Sequence, residues 1–350
     1  MLFAYDVLPL AVLPQPLWWL AGIVMLALAV DRFWGEPPVR LHPVVWMGNY
    51  LQWAGEQVQR RTVQQVGTRD LRAFGCGMLF WWMGAVAVAA VACALQHMLL
   101  TWQNPVESTG GSRFASTLLC IVAMALLLKP LLAWAMLRGE VLAVEAALSE
   151  QQGGGLEAGR ARLRWLVSRD VSALSASGVR ESAIESLAEN LNDSVIAPLF
   201  WFVLLGLPGA AVYRFANTAD AMWGYKGVYQ GHNWEWAGKW AARADDVLSW
   251  VPARMTAVLL LVAAGQGWKP LPTEAARTPS PNSGWPMAAM ALALDVRLAK
   301  PGVYVLNPTG AAPADRSTAQ AVAYGGRAVL LFAGLIAATA ALCALAGAAV

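Results

Sequence analysis

Residues 73–96 read Ala73-Phe-Gly-Cys-Gly-Met-Leu-Phe-Trp-Trp-Met-Gly-Ala-Val-Ala-Val-Ala-Ala-Val-Ala-Cys-Ala-Leu-Gln96, without one charge. A helix rises about 1.5 Å per residue and a hydrocarbon core is roughly 30 Å thick, so this run can cross a bilayer. Two more uncharged runs, 7–30 and 328–350, match it. Segment 114–137 does so too except for Lys129, which precedes Pro130 and is expected to face protein or water. Residues 195–213 are long enough but carry Pro198 and the turn signal Leu207-Pro208-Gly209, while 247–268 carries Pro252 and Arg254 near its start. The run Gly284–Leu294 is too short to span. The expectation is an all-α, polytopic integral membrane protein. One membrane-embedded domain covers 1–350, with cytoplasmic-side helices and loops, and 195–213 and 247–268 are spans or re-entrant segments.

Composition agrees. Apolar residues make up 58% of the chain and charged residues 13%, about half the charge of an ordinary soluble domain. No basic region precedes the first apolar stretch, so that stretch is expected to stay as an anchor. Cys76, Cys93, Cys120 and Cys343 are scattered through apolar segments with no CxxC spacing, which excludes a zinc ribbon or a disulfide frame. The net charge of +3 is too small to point to nucleic acid. Tryptophan pairs at Trp18-Trp19 and Trp81-Trp82 suit an interfacial belt. The glycine run in Gln151-Gln-Gly-Gly-Gly155 reads as a hinge between helix-forming stretches.

Lys and Arg number six in 31–72, one in 97–113 and six in 138–194, then four in 214–246 and six in 269–327. The positive-inside rule therefore puts 31–72 and 138–194 in the cytoplasm and 97–113 outside. A single crossing at 195–213 would carry the basic loop 214–246 outward. Hairpins at 195–213 and 247–268 would instead leave every polar loop on the cytoplasmic side, since irregular backbone is tolerated at membrane depth where protein lines it.

The polar loops hold the chemistry. In 180–193, Glu181, Glu185 and Glu189 fall at i, i+4 and i+8, one stripe that Asp193 extends. Like charges at that spacing repel, so either a cation offsets them or the stripe is a solvated face with Arg180 as partner. Glu185, Glu189 and Asp193 are candidate Mg²⁺ ligands, because Mg²⁺ takes one or two carboxylates plus substrate phosphates. A second group joins Arg214, Asn217, Asp220, Tyr225 and Lys226, with Lys226 as a point charge for phosphate. A helix-cap role for Asn217 and Asp220 is the plainer alternative. Arg243-Ala-Asp245-Asp246 and Arg254 form a third group, and Ser280-Pro-Asn282, entering a short apolar helix, a fourth. Asp31, Glu36 and His42 follow the first span, His42 being a general base or a structural residue before Pro43. There is no P-loop: Gly238-Lys239 runs into Trp240 without the upstream glycine, and no nucleophile elbow or HExxH occurs.

In this order the groups resemble the adenosylcobinamide-phosphate synthase family of cobalamin biosynthesis, the CobD/CbiB proteins. The matching pieces are Asp31…Gly35-Glu-Pro-Pro…His42-Pro, Arg169-Asp170, Glu185-Ser-Leu-Ala-Glu189-Asn190…Asp193…Ala-Pro198-Leu, Tyr213-Arg…Asn217-Thr-Ala-Asp220…Gly224-Tyr-Lys226, Ala242-Arg243-Ala-Asp245-Asp246…Pro252-Ala-Arg254, and Ser280-Pro-Asn282-Ser-Gly-Trp-Pro. Each is weak alone; six in order over about residues 30 to 300 are specific. The family often has a His just before the Ser-Pro-Asn triplet, where this chain has Thr278, and a Gly/Tyr-rich run where this chain has Lys300-Pro-Gly-Val-Tyr304.

The resemblance implies a ligase forming an amide bond, with Mg²⁺ as cofactor and ATP as co-substrate. Adenosylcobyric acid would be joined to aminopropanol or its phosphate. Its setting would be the bacterial inner membrane, multi-pass, with the active site facing the cytoplasm beside other membrane-bound cobalamin-assembly enzymes. On that reading Glu185, Glu189 and Asp193 hold Mg²⁺, while Lys226, Arg214 and Arg243 grip phosphates. Asp220 or Asp245 removes the amine's proton. Asn190, Asn217, Asn282, Tyr225, Ser280 and Arg254 contact substrate, and Trp234, Trp236 and Trp240 pack on the corrin or anchor at the interface. Another Mg²⁺-dependent membrane transferase would favour paired DxxxD motifs, and a transporter or regulatory protein would favour inverted repeats. Neither pattern is found.

Overall fold

The computed structural model describes residues 17–103, 110–149 and 153–348. Residues 7–16 of the expected first span, Gln151-Gln152 of the glycine hinge and the last two residues of the terminal span lie outside them. The regular elements among the described residues are helical apart from two short antiparallel ladders, β1 (Val228–Tyr229) with β2 (His232–Asn233) and β3 (Leu298–Lys300) with β4 (Tyr304–Leu306). Among the described residues, six helical stretches are long and apolar enough to cross a membrane: Leu17–Trp34, Leu71–Trp102, Phe114–Leu148, Ala176–Trp223, Lys239–Ala264 and Asp315–Ala346. The chain is thus built as a multi-pass membrane protein. It divides into two compact units, the first comprising Met1–Leu132, Ala197–Leu248 and Thr339–Val350, the second Ala133–Ile196 and Ser249–Ala338.

The first unit contains α1 (Leu17–Trp34), α2 (Pro43–Gln59), α3 (Leu71–Gln103) and α4 (Gly110–Leu128). Local chemistry sets the starts of α2 and α3. His42 caps α2, its Nδ1 accepting from Val44 N at 3.2 Å, with Pro43 at the first helical position. Asp70 opens α3, one oxygen accepting from Ala73 N and the other from Val63 N, both at 2.9 Å. Burial alone would raise the Asp70 pKa, but these backbone N–H groups outweigh it and hold the carboxyl below its usual range.

Further along the chain, α8 (Ala197–Trp223) is two helical arms joined at Gly206, whose φ of 69° and ψ of −158° suit only glycine. A Cβ on Gly209 would sit 2.4 Å from the Trp201 carbonyl oxygen. Eight residues apart on one continuous helix, these positions would be separated by about 12 Å, so the chain doubles back. The turn expected at Leu207-Pro208-Gly209 is therefore present, one residue early, and α8 is a helical hairpin. Gln96 of α3 supports its tip, Oε1 accepting from Leu207 N at 2.8 Å. For 247–268 the helix fits the span alternative and not the hairpin: α9 (Lys239–Ala264) runs without reversal and tolerates Pro252 in its interior.

The second unit holds α5 (Trp134–Leu148), α6 (Leu156–Leu163), α7 (Ala176–Leu191), α10 (Leu271–Ala275), α11 (Gly284–Leu294) and most of α12 (Asp315–Ala348). Ser175 caps α7 by accepting from Gly178 N, and α7 is buried on nearly every side. A π-helical segment, Asn192–Ile196, follows directly. Such segments are frequent at functional sites. The ladder of β3 (Leu298–Lys300) and β4 (Tyr304–Leu306), absent from the sequence expectation, turns through Pro301-Gly302, with Val303 N donating to Lys300 O.

Candidate functional site

Burial decides how the α7 acids behave. Glu181 is 5% exposed and Glu185 is 3% exposed, so the alternative of a solvated face is overturned. Nor does Arg180 serve the stripe. It forms a bidentate pair with Glu145 at 2.7–3.0 Å, and Glu145 also accepts from Thr318 Oγ1. Glu181 is occupied structurally, accepting from Ala299 N at 3.0 Å on β3 and lying 3.5 Å from Arg297.

Glu185 differs. One oxygen accepts from Arg169 Nη2 at 2.6 Å, while Oε1 and Arg169 Nη1 are both buried without a hydrogen-bond partner among the described residues. Tyr304 stands beside this pair. Its burial raises the phenol pKa, and the Glu185 and Glu189 carboxylates raise it further, so the group stays a neutral donor. Asp193 accepts from Asn192 Nδ2 at 2.8 Å, and Asn192 Oδ1 accepts from Thr256 at 3.1 Å. Asn190 donates to Ser186 on α7. Among the described residues, no three Asp, Glu, His or Cys side chains converge as a metal cage. The expected trio Glu185, Glu189 and Asp193 is thus a row rather than a closed ligand set.

Arg254, expected at a substrate site, braces the Ser280-Pro-Asn282 loop in the same unit. Its guanidinium lies 4.1 Å from the Trp250 ring and 4.6 Å from that of Trp285, and donates to Asn282 Oδ1 at 3.2 Å. Ser280 Oγ accepts from the backbone N–H of Asn282 and Ser283. Thr278, where the related pattern often has His, is buried and donates to the carbonyls of Ala275 and Ser280.

In the first unit, Asn217 links two of the sequence groups: its Oδ1 accepts from Arg214 at 3.4 Å and its Nδ2 donates to Asp245 at 3.4 Å. A cap role for Asn217 and Asp220 is excluded, since both lie inside α8. Asp220 lies close under Gly224, where an added Cβ would meet its Oδ1 at 2.0 Å. Tyr225 stacks on Tyr229 with 3.6 Å between ring centroids. Burial, then the Tyr229 hydroxyl and the Asp220 charge, push its pKa up to about 12. Lys226 and Arg243 are exposed, and Lys226 acts electrostatically on Asp246. The three tryptophans divide: Trp234 stacks on Trp223 in the core, Trp236 lies beneath Lys239, and Trp240 joins Trp81 and Trp82.

A family model described as CobD/Cbib protein matches residues 24–332. The chain belongs to the CobD/CbiB family. It is 38% identical over 293 residues to the probable cobalamin biosynthesis protein CobD of Methanothermobacter thermautotrophicus, covering 82% of this chain and 86% of that one. With the cobalamin biosynthesis protein CobD of Chromobacterium violaceum it shares 40% over 275 residues, 78% and 79% of the two chains. The CobD protein of Dehalococcoides mccartyi is 35% identical over 292 residues, 81% and 86% of the two chains. No solved structure matches.

The CobD/CbiB match also covers a network that sequence reading left in pieces. Lys129, 3% exposed, sits 3.5 Å from Asp31 and 2.8 Å from Glu36, and His42 Nε2 meets Glu36 at 3.2 Å. With its Nδ1 accepting from Val44 N, His42 holds the loop before α2, and the general-base alternative gains no support from its contacts. Lys129 looked like a lone charge in a span because its partners lie about a hundred residues away. Tyr304 and Arg297 were missed for the same reason: they reach α7 through a ladder that no periodicity announces.

Proposed function

We propose that the chain is an adenosylcobinamide-phosphate synthase. It joins the carboxylate of adenosylcobyric acid to aminopropanol or aminopropanol phosphate in amide linkage, at the expense of ATP. The observation that carries this reading is the Glu185–Arg169 pair, a buried carboxylate on a half-buried guanidinium, with Oε1 and Nη1 unpartnered, in a chain of a cobalamin-biosynthesis family. Buried charge left incomplete costs several kcal/mol per ion, which a charged substrate would offset.

Hydroxide is a poor leaving group, so the carboxylate needs activation. One carboxylate oxygen attacks the γ-phosphorus of ATP and ADP departs. The amine nitrogen then attacks the acyl carbon, and inorganic phosphate leaves with that oxygen. The amine arrives as an ammonium, and Asp220 or Asp245 takes its proton. Asn217 orients Asp245 for that task. Lys226, Arg214 and Arg243 offset phosphate charge. Glu185, Glu189 and Asp193 are the residues that would hold Mg²⁺, which supplies Lewis-acid stabilisation when bound. One or two of them suffice, because substrate phosphates complete the coordination.

The test is ligation by membranes containing the protein, supplied with ATP, Mg²⁺, adenosylcobyric acid and either amine. Corrinoid products are read by mass spectrometry. A condensed product that requires ATP and is lost in Lys226→Met supports the reading. Absence of product with both amines, from a folded chain, rejects it.

A further inference from the structure

A cavity of about 600 Å³ lies wholly within the first unit, between α2, α3, the end of α4 and the second arm of α8. On α3 its wall follows one face from Gly84 to Leu95, about 16 Å at the helical rise. Leu207, Ala211 and Phe215, spaced by four, track it along α8. The opening is thus a slot, about as long as one leaflet of a hydrocarbon core roughly 30 Å thick.

The lining invites neither water nor a polar ligand. Only Tyr50 and Trp46 bring a side-chain oxygen or nitrogen to it, and both are already donating. Tyr50 donates to the Phe80 carbonyl at 2.8 Å and Trp46 to the Arg40 carbonyl at 2.9 Å. A cavity without polar partners stays dry, and a corrinoid or a nucleotide would bury its own polar groups there unpaired. Val91, 61% exposed, and Leu126, 53% exposed, stand at the rim. The slot therefore opens sideways, onto the apolar surface of two helical stretches long enough to cross the membrane. Its floor is different: Met47, Leu207 and Ala211 are buried, beyond the reach of lipid that merely surrounds the protein.

We propose that the slot is a binding site for one acyl chain of a bilayer phospholipid, held inside the protein. A straight apolar chain matches its length and its lining. Protein interiors are close-packed, and a chain in the slot supplies the contacts that bare walls would lack. It backs the arm of α8 that carries Arg214, Asn217 and Asp220, because Phe215, next to Arg214, is part of the wall. Chain binding here does not depend on the corrinoid reading above.

Photolabelling of the full chain tests it, in nanodiscs of phosphatidylethanolamine and phosphatidylglycerol. A trace of phosphatidylglycerol with a mid-chain diazirine is the probe, and labelled residues are mapped by mass spectrometry. The wild type is expected to carry label at buried Met47 and Ala211 as well as at exposed Leu79 and Leu335, which lie outside the slot. Ala87→Phe fills the slot from an exposed position on its wall. It should lower the label at Met47 and Ala211 about tenfold relative to Leu79, the effect of losing contact with about two methylenes. Ala90→Phe, exposed on α3 but outside the slot, should leave that ratio unchanged. Label confined to exposed residues in the wild type overturns the site, because the slot is then empty or filled by protein. Label at Met47 and Ala211 that a monodisperse Ala87→Phe leaves unchanged, or that Ala90→Phe lowers equally, overturns it too.

Discussion

Glu185 and Arg169 hold each other at 2.6 Å with one polar atom apiece left over, and that pairing sets the expectations for single residues. Glu185→Gln keeps the shape and removes the charge. We expect it to lower the ligation rate at least a hundredfold, the scale of a lost electrostatic contact in a desolvated site. Membrane insertion should be unchanged, as checked by protease protection. Tyr225 gives a prediction in pH. Its folded pKa of about 12 lies above the ordinary tyrosine value, so its contribution to stability is complete below about pH 10 and is lost as pH rises through 12. Wild type should lose more stability than Tyr225→Phe over that window in thermal unfolding followed by circular dichroism. The i, i+4 stripe of glutamates was legible at this scale. Which acid was structural was not, because Glu181 meets Ala299 and Arg297 more than a hundred residues along the chain.

Elements carry a different kind of information. Pro198 and Leu207-Pro208-Gly209 marked a break in an apolar run, and the reversal at Gly206 is its physical form. The partner of that turn was hidden: Gln96 reads as the last residue of an uncharged span, yet it supplies the acceptor for Leu207 N. Gln96→Leu leaves that N–H bare at membrane depth and should cost about 1–3 kcal/mol, measured by thermal shift in detergent. A chain that doubles back at Gly206 keeps the following loop on the side it started from. In a background without native cysteines, His232→Cys should therefore react with a membrane-impermeant maleimide from the cytoplasmic side only; reaction from the periplasmic side alone would refute the hairpin topology. For α9 the sequence left a span and a hairpin both open, and Pro252 is accommodated without a turn. At α3, Asp70→Ala should cost about 1 kcal/mol at neutral pH, the worth of a cap. The difference should shrink as pH falls below about 4, because a carboxyl with a depressed folded pKa loses its contribution on protonation.

At the scale of the whole molecule, hydropathy made the membrane class plain and the ordered motifs made the family plain, and six apolar helical stretches with the match over 24–332 agree with both. The side-chain networks within each unit were less legible because they are assembled by non-local contacts: Lys129 with Asp31 and Glu36 in the first, Arg254 with Asn282 and Tyr304 with Glu185 in the second. The central claim is that the corrinoid carboxylate is activated by ATP before the amine attacks. Adenosylcobyric acid labelled with ¹⁸O in that carboxylate tests it most directly, with inorganic phosphate analysed by mass spectrometry after ligation. The account predicts one labelled oxygen in phosphate for each amide formed. Amide formation with no label in phosphate would contradict it.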